Sequence, residues 1–185
     1  GGGVTEVLVA EAFANVAVQW TVVVVAAPHG PSGGGAFVSA TAKGGHDFDP
    51  GFTVDLYQSA GRFDCVSIEG AGRIGGQLDQ MTRAYDYGTL HVLVVERDKT
   101  AVRLYIDGFL EGTRPVSAAT THMEALRIGA RYYEDTERAY FSGEVAQVLL
   151  FNRILTHAER GEVERTLFVS SAERAGVVRA LAAPM

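Results

Sequence analysis

Acidic side chains are the first candidates for chemistry in this chain, and Glu134, Asp135 and Glu137 come nearest to a catalytic pair. A retaining glycoside hydrolase needs two carboxyl groups about 5–5.5 Å apart, one as nucleophile and one as acid. A strand supplies such a pair when acidic residues alternate along one face. Residues 134–137 lack that alternation and lie in a charged segment, so we interpret them as a solvated loop. The sequence therefore favours a protein that is not an enzyme.

Two further carboxylates, Asp47 and Asp49, lie two residues apart in a polar loop at residues 43–51. Calcium binds carboxylate oxygens together with backbone carbonyls, so this pair is a candidate metal site. Aspartate also stabilises ordinary turns through local hydrogen bonds, and we favour that interpretation. The five histidines show no paired spacing of metal ligands. We expect no required cofactor and keep calcium as the alternative.

Tyrosines beside charged residues indicate a different chemistry, the binding of sugars. Sugars stack their C–H faces on aromatic rings and form hydrogen bonds with Asp, Asn and Arg side chains. Neighbouring strand residues point in opposite directions, so one of Tyr132 and Tyr133 must face outward. The alternative is that tyrosines only cover sheet edges with their hydroxyls in water, and we prefer it for Tyr140. The candidate ligand-binding residues are Asp86, Tyr87, Arg131, Tyr132, Tyr133 and Asp135.

The composition indicates one globular domain, because 47% of the 185 residues are hydrophobic and 9% are aromatic. A net charge of −6 without a basic cluster excludes nucleic acid as an expected partner. The single cysteine, Cys65, is interpreted as a packing residue and leaves the redox compartment open. The apolar run at residues 22–27 is too short to cross a bilayer, so we expect no membrane span.

The elements that must position these residues are mostly strands. Period-two runs between turn signals predict strands at residues 4–10, 19–27, 35–40, 52–58, 62–68, 90–97 and 125–129. The clearest hairpin is at residues 102–112, where Asp107 and Gly108 both tolerate the positive φ of a tight turn. Residues 70–76 and 131–139 are interpreted as loops within the same domain.

Residues 141–151 are apolar on both faces of an alternating pattern, which predicts a strand buried between two layers. Strict alternation places Val145 on the same face as Leu149 and on the opposite face from Val148.

The chain then changes period at residues 156–159, where Thr156 and Glu159 form a capping-box pattern. We expect a helix from there to Leu167, and Ser171 is positioned to cap a weak second helix to Leu181. This divides the chain into a sandwich at residues 1–169 and a tail or short helix at residues 170–185. We expect the tail to pack on the sandwich or on a neighbour.

These segments resemble the concanavalin A-like, laminin G-like jelly-roll domains of bacterial surface and secreted proteins. Residues 104–108 are similar to that family's tyrosine, hydrophobic, Asp-Gly turn, and residues 141–160 to its closing strand and helix entry. Residues 3–8 and 87–92 depart from the family's usual aspartate and tryptophan-histidine patterns. The resemblance implies an all-β fold, an antiparallel jelly-roll β-sandwich with one or two short C-terminal helices.

The resemblance and the tyrosine pattern together indicate a non-catalytic recognition or adhesion module that binds a glycan through rim loops. It would belong to a larger protein that is extracellular, on a cell surface or on a virion surface. The alternative is a structural or protein-binding domain of a multimeric assembly, such as a phage particle, with the C-terminal tail as the contact. Glycoside hydrolysis is the third hypothesis.

Overall fold

The computed structural model describes residues 7–30, 35–42, 44–57, 61–73 and 79–174. Strands and one helix follow one another through these ranges. In chain order they are β1 (Leu8–Ala17), β2 (Trp20–Pro28), β3 (Gly35–Thr41), β4 (Phe52–Leu56), β5 (Phe63–Gly70), β6 (Asp79–Tyr85), β7 (His91–Arg97), β8 (Ala101–Ile106), β9 (Phe109–Pro115), β10 (Thr121–Ile128), β11 (Arg131–Tyr133), β12 (Thr136–Arg138), β13 (Gly143–Phe151) and α1 (His157–Arg174).

Two antiparallel sheets pack face to face. The larger has the strand order β1-β10-β3-β4-β5-β6, and the smaller has the order β13-β2-β7-β8-β9. Strands β11 and β12 form a separate small hairpin. The prediction of an all-β, antiparallel sandwich with a C-terminal helix is confirmed.

The core between the sheets is built around stacked aromatic rings. Trp20 lies 4.4 Å from Phe52 between ring centroids, and its Nε1 donates a hydrogen bond of 3.0 Å to Thr121 Oγ1. Burying a large apolar side chain stabilises a fold by about 1.5–3 kcal/mol. Burial of these side chains therefore stabilises the packing of the two sheets against each other, and this fixes the positions of the residues on their outer faces.

Helix α1 covers the outer face of the smaller sheet. Valines of β2 and β7 that point away from the inter-sheet core form a second apolar cluster with Leu167 of α1. Arg160 of α1 stacks with its Cζ 3.7 Å from the ring centroid of Tyr105 and donates to Glu96 at 3.0 Å. Strand β2 is buried on both faces, and this explains its continuous run of apolar residues.

The two strongest local predictions are confirmed. Asp107 and Gly108 have φ values of 51° and 83° and form the turn between β8 and β9. At the start of α1, the Glu159 backbone N–H donates to Thr156 Oγ1 at 3.2 Å. The Thr156 N–H donates in return to the Glu159 carboxylate at 2.8 Å, which completes the capping box.

Strand β13 differs from its prediction in two ways. It is an edge strand of the smaller sheet and is half-exposed, not buried between two layers. The pairing register shifts between Val145 and Gln147, and this bulge reverses the expected alternation. As a result Val145, Val148 and Leu150 all pack against the inter-sheet core.

The remaining differences concern the ends and the edges. Strand β1 begins at Leu8 and continues to Ala17, and α1 extends past Leu167 to Arg174. Strand β6 and the β11–β12 hairpin were not predicted. Positions 4–6 of the first predicted strand and residues 175–181 of the second predicted helix lie outside the described residues. In the described ranges, no helix combines the length and apolar character that crossing a membrane requires.

Candidate functional site

The outer face of the larger sheet carries buried polar side chains. In β4 and β5 the apolar residues face the core, so the alternate positions Thr53, Asp55, Ser67 and Glu69 face outward. In the antiparallel pairing of β4 with β5, Thr53 lies opposite Glu69 and Asp55 lies opposite Ser67. Asp55 and Glu69 are each only 7% exposed. A buried carboxylate requires a partner, and a residue outside the sheet supplies it.

Arg131, the first residue of β11, is that partner. Its Nε and Nη2 donate to the two oxygens of Asp47 at 3.0 and 2.9 Å. Its Nη1 donates to Asp55 at 2.9 Å, and its Nη2 also donates to Glu69 at 3.2 Å. One guanidinium therefore joins the loop at residues 44–50, the β11–β12 hairpin and two strands of the sheet.

Three carboxylates share this cluster, and their charges are not fully matched by Arg131. Burial, together with the charges of Asp47 and Glu69, raises the pKa of Asp55 to about 7, while Arg131 and a hydrogen bond from Thr53 oppose that shift. Burial alone would lower the pKa of Arg131, but its bonds to Asp47 and the neighbouring negative charges hold it above its ordinary value. The cluster thus has one carboxyl group that takes up a proton near neutral pH.

A cavity of about 270 Å³ opens beside this cluster, and we call it the Tyr133 cavity. The rings of Phe48 and Tyr133 have centroids 6.5 Å apart, and the Arg131 Cζ lies 5.3 Å from the Tyr133 centroid. Arg73 forms an ion pair with Glu69 at 3.5 Å. The cavity is lined by Phe48, Glu69, Arg73, Arg131 and Tyr133. It therefore combines two aromatic rings with planar charged groups that donate and accept hydrogen bonds.

The structure separates the residues that the sequence grouped into one ligand site. Tyr85, which directly precedes Asp86, is the residue of β6 that lies opposite Phe63 at one end of β5. Glu69 lies near the other end of β5. Six residues of strand separate these ends by about 20 Å. Asp86 is exposed and ion-paired with Arg62 at 3.1 Å, and the side chain of its neighbour Tyr87 packs against the main core. Asp86 and Tyr87 therefore do not join the Tyr133 cavity.

Within residues 131–135, the side chains have different environments. Arg131 was expected in a rim loop, but its side chain is only 15% exposed, because it anchors the hairpin to the sheet. Tyr132 lies over Arg127, with 3.8 Å from the guanidinium Cζ to the ring centroid, and Tyr133 lines the cavity. Asp135 is exposed in the β11–β12 turn with φ of 56°. One of the two adjacent tyrosines therefore contributes to the cavity.

The structure places Asp47 and Asp49, the candidate calcium ligands, in different environments. Asp47 is fully buried, and its oxygens accept hydrogen bonds from Arg131 and from the Tyr132 backbone N–H at 2.9 Å. A cation would have to displace the guanidinium, while Asp49 is exposed. No group of three or more His, Cys, Asp or Glu side chains in the described ranges is arranged to hold a metal ion.

The sequence interpretation missed Phe48, Glu69 and Arg73. A signal for Glu69 was present, because the pattern Ser67, Ile68, Glu69 repeats the polar, apolar, acidic order of Thr53, Val54, Asp55. Two neighbouring strands with outward-facing acids indicate a polar, covered face.

Comparison with known proteins agrees with this architecture. The two antiparallel sheets packed face to face form a jelly-roll sandwich. The sequence matches the Laminin_G_3 family model, described as the concanavalin A-like lectin/glucanases superfamily, over residues 4–159. The chain belongs to this family. A search of curated proteins finds no significant match.

Solved structures show the same fold at low sequence identity. A SAP-like pentraxin from Limulus polyphemus has a TM-score of 0.64 and 15% identity, over 77% of this chain and 67% of the pentraxin. The CBM40 domain of a Ruminococcus gnavus IT-sialidase, bound to α2,3 sialyllactose, has a TM-score of 0.60 and 17% identity, over 79% of this chain and 82% of that domain. Domain 4 of an extracellular GH43 arabinanase from Geobacillus stearothermophilus, in complex with arabinotriose, has a TM-score of 0.54 and 15% identity, over 79% of this chain and 66% of that chain.

Proposed function

We propose that this domain is a non-catalytic glycan-binding module and that the Tyr133 cavity is its ligand site. The observation that carries the proposal is the meeting of Tyr133 and Phe48 with Glu69 and Arg73 in one cavity. An aromatic ring offers a flat apolar surface to the C–H face of a sugar. A carboxylate and a guanidinium provide the acceptors and donors that its hydroxyl groups require.

The dimensions of the cavity support a small ligand. Its volume of about 270 Å³ is near the lower end of the roughly 300–1,000 Å³ typical of small-molecule sites. The ligand we propose is therefore the end or a branch of a glycan. The Arg131 cluster fixes the cavity wall before the ligand arrives, which lowers the entropy cost of binding.

The small number of accessible carboxylates in the cavity favours glycan binding over glycan hydrolysis as the function. Glycosidases of the common type use two carboxyl groups, one on either side of the scissile bond. Asp55 has the raised pKa expected of an acid catalyst, but Thr53 donates to one of its oxygens and Arg131 to the other. Of the residues that line the cavity, Glu69 alone carries a carboxylate.

The structural neighbours are consistent with this function. Two of them are parts of larger enzymes, a sialidase and an extracellular arabinanase, and both have structures with a bound saccharide. By analogy we propose that this domain serves a larger extracellular or surface protein as a recognition module.

A glycan array followed by calorimetry tests the proposal. We expect binding to a restricted set of glycans and at least a tenfold weaker affinity for Tyr133→Ala, equivalent to about 1.4 kcal/mol. Tyr140→Ala is the matched control, because Tyr140 is exposed and lies outside the cavity lining. Chelation of calcium should leave the affinity unchanged. A flat array, or equal losses for the two variants, would refute the proposed site.

A further inference from the structure

A second cavity, of about 510 Å³, lies between α1 and the start of β7 on the outer face of the smaller sheet, and we call it the α1 groove. Its apolar wall includes Leu90, Val92, Phe168 and Val169. Phe168 and Val169 are 45% and 44% exposed, although α1 docks on the sheet through Leu167. The volume lies within the roughly 300–1,000 Å³ typical of small-molecule sites. The groove can therefore hold a small ligand with an apolar body.

One carboxylate in the wall of the groove lacks a partner. Glu164 of α1 lines the groove, and its Oε1 is buried without a hydrogen-bond partner among the described residues. Burial raises the pKa of Glu164 above its ordinary value, and the positive charge of Arg160 offsets this shift only in part. A cation bound next to Glu164 would stabilise its ionised form.

The cationic side chains beside this carboxylate are engaged elsewhere or lie in solvent. Arg160 donates to Glu96 at 3.0 Å, and His91, which lines the groove, pairs with Asp107 at 2.8 Å. Arg165 also lines the groove, but it is exposed. The groove therefore favours a ligand that brings its own positive charge.

Two glycines leave space open next to Glu164, and both line the groove. Gly108 belongs to the β8–β9 turn, where its φ of 83° accounts for the choice of glycine. Gly161 lies inside α1, where glycine costs roughly 0.5–1 kcal/mol relative to alanine. A Cβ on Gly161 would meet no atom of the described residues within 4 Å beyond its chain neighbours and its own helix backbone. Packing therefore does not require glycine at this position, and the missing side chain leaves room for a ligand beside Glu164, its neighbour on the helix surface.

We propose that the α1 groove binds a small amphipathic monoamine. The ammonium group of the ligand donates to Glu164, and its apolar body, an aryl or alkyl group, packs against Leu90 and Phe168. The carboxylate selects the amine against neutral or acidic molecules of similar shape. This inference does not depend on the proposed glycan site, which lies on the other sheet.

Titration of the full ¹⁵N-labelled chain with phenethylamine at neutral pH tests this site. We expect the largest chemical-shift changes at the amides of Leu90, Gly161 and Phe168. Phenethyl alcohol has the same apolar body without the charge and should bind more weakly, and hydrocinnamate, which is an anion, should bind most weakly of the three. A flat amine titration, or equal affinities for the amine and the alcohol, would overturn the proposal.

Glu164→Gln tests the contribution of the charge. The affinity for phenethylamine should fall about fivefold, as expected for loss of a partly exposed ion pair, and the affinity for phenethyl alcohol should stay the same. Glu162→Gln is the matched control, because Glu162 is exposed on the same helix and is absent from the groove lining. Equal amine affinities for Glu164→Gln and Glu162→Gln would contradict the proposed pairing.

Gly161→Leu tests the contribution of the open space. Leucine should fill the groove and abolish amine binding while α1 stays folded, because leucine is a better helix former than glycine. Gly161→Ala is the matched control, because it adds one methyl group to open space and should keep the binding. Unchanged amine affinity for Gly161→Leu would overturn the proposal. Light scattering that shows a dimer for the wild-type chain and a monomer for Gly161→Leu would overturn it too, because a second copy would then fill the groove.

Discussion

Asp55→Asn should remove a pH dependence of stability that arises in the Arg131 cluster. Burial raises the pKa of Asp55 from 3.8 to about 7. Between these values the folded protein holds a proton on Asp55, whereas the unfolded chain has released it. The stabilisation is therefore complete below pH 3.8 and is lost as the pH rises through about 7.

One extra proton bound by the folded state makes the free energy of unfolding fall by up to about 1.4 kcal/mol per pH unit. Over the roughly three pH units between the two pKa values, the loss from this group is at most about 4 kcal/mol. Asparagine keeps the size of the side chain and an oxygen that accepts hydrogen bonds, but it cannot titrate. The variant should therefore show a flatter dependence of stability on pH.

Urea denaturation at several pH values between about 4 and 8 measures this slope. Trp20 is the single tryptophan and is 1% exposed, so its fluorescence reports unfolding. Comparison with the wild-type protein cancels the contributions of all groups that the two proteins share. Asp49→Asn, a change of the same kind at an exposed residue, is the control and should keep the wild-type slope. Equal slopes for wild type and Asp55→Asn would refute the assignment of a raised pKa to Asp55.

Three other substitutions test contacts that hold the fold. Glu111 of β9 is 2% exposed and accepts hydrogen bonds from the Thr82 and Arg83 backbone N–H groups and the Tyr85 hydroxyl of β6, which tie the edges of the two sheets. Glu111→Ala leaves these donors without their acceptor and should lower the free energy of unfolding by about 1–3 kcal/mol. A loss below about 1 kcal/mol in urea denaturation would argue against this link. Thr156→Ala should cost about 1 kcal/mol in thermal unfolding, because it removes the helix cap, while Thr156→Ser should keep most of the stability. Arg160→Met should cost about 3 kcal/mol, because it leaves Glu96 buried without its partner. An unchanged melting temperature for this last variant would show that the ion pair is not needed to dock α1.

Local signals in the sequence were sufficient for several elements. The Asp107-Gly108 turn depends on the backbone freedom of two adjacent residues, and the capping box on two side chains three residues apart. Strand β2 could be predicted because residues 22–27 form a continuous apolar run. The face of Val145 could not be predicted, because the bulge in β13 depends on its pairing with β2.

The candidate site depends on contacts between residues that are far apart in the sequence, so it was harder to predict than these local elements. Arg131 interacts with Asp47 and Asp55, which precede it by 84 and 76 residues. Spacing alone shows neither that these groups meet nor that Arg131 is buried. The sequence proposed Tyr132 and Tyr133 together, because one of two adjacent strand residues must face outward, and the structure places Tyr133 in the cavity lining. Arg73, which also lines the cavity, became recognisable only when the fold placed it beside Glu69.

Chemical-shift mapping of a glycan titration tests the central claim, that the Tyr133 cavity binds a saccharide, most directly. The ligand would be the strongest binder from the array, added to ¹⁵N-labelled protein. We expect the largest changes at the amides of Phe48, Arg73 and Tyr133, and little change at Asp86 and Tyr87. The largest changes at Asp86 and Tyr87, or along α1, would contradict the account.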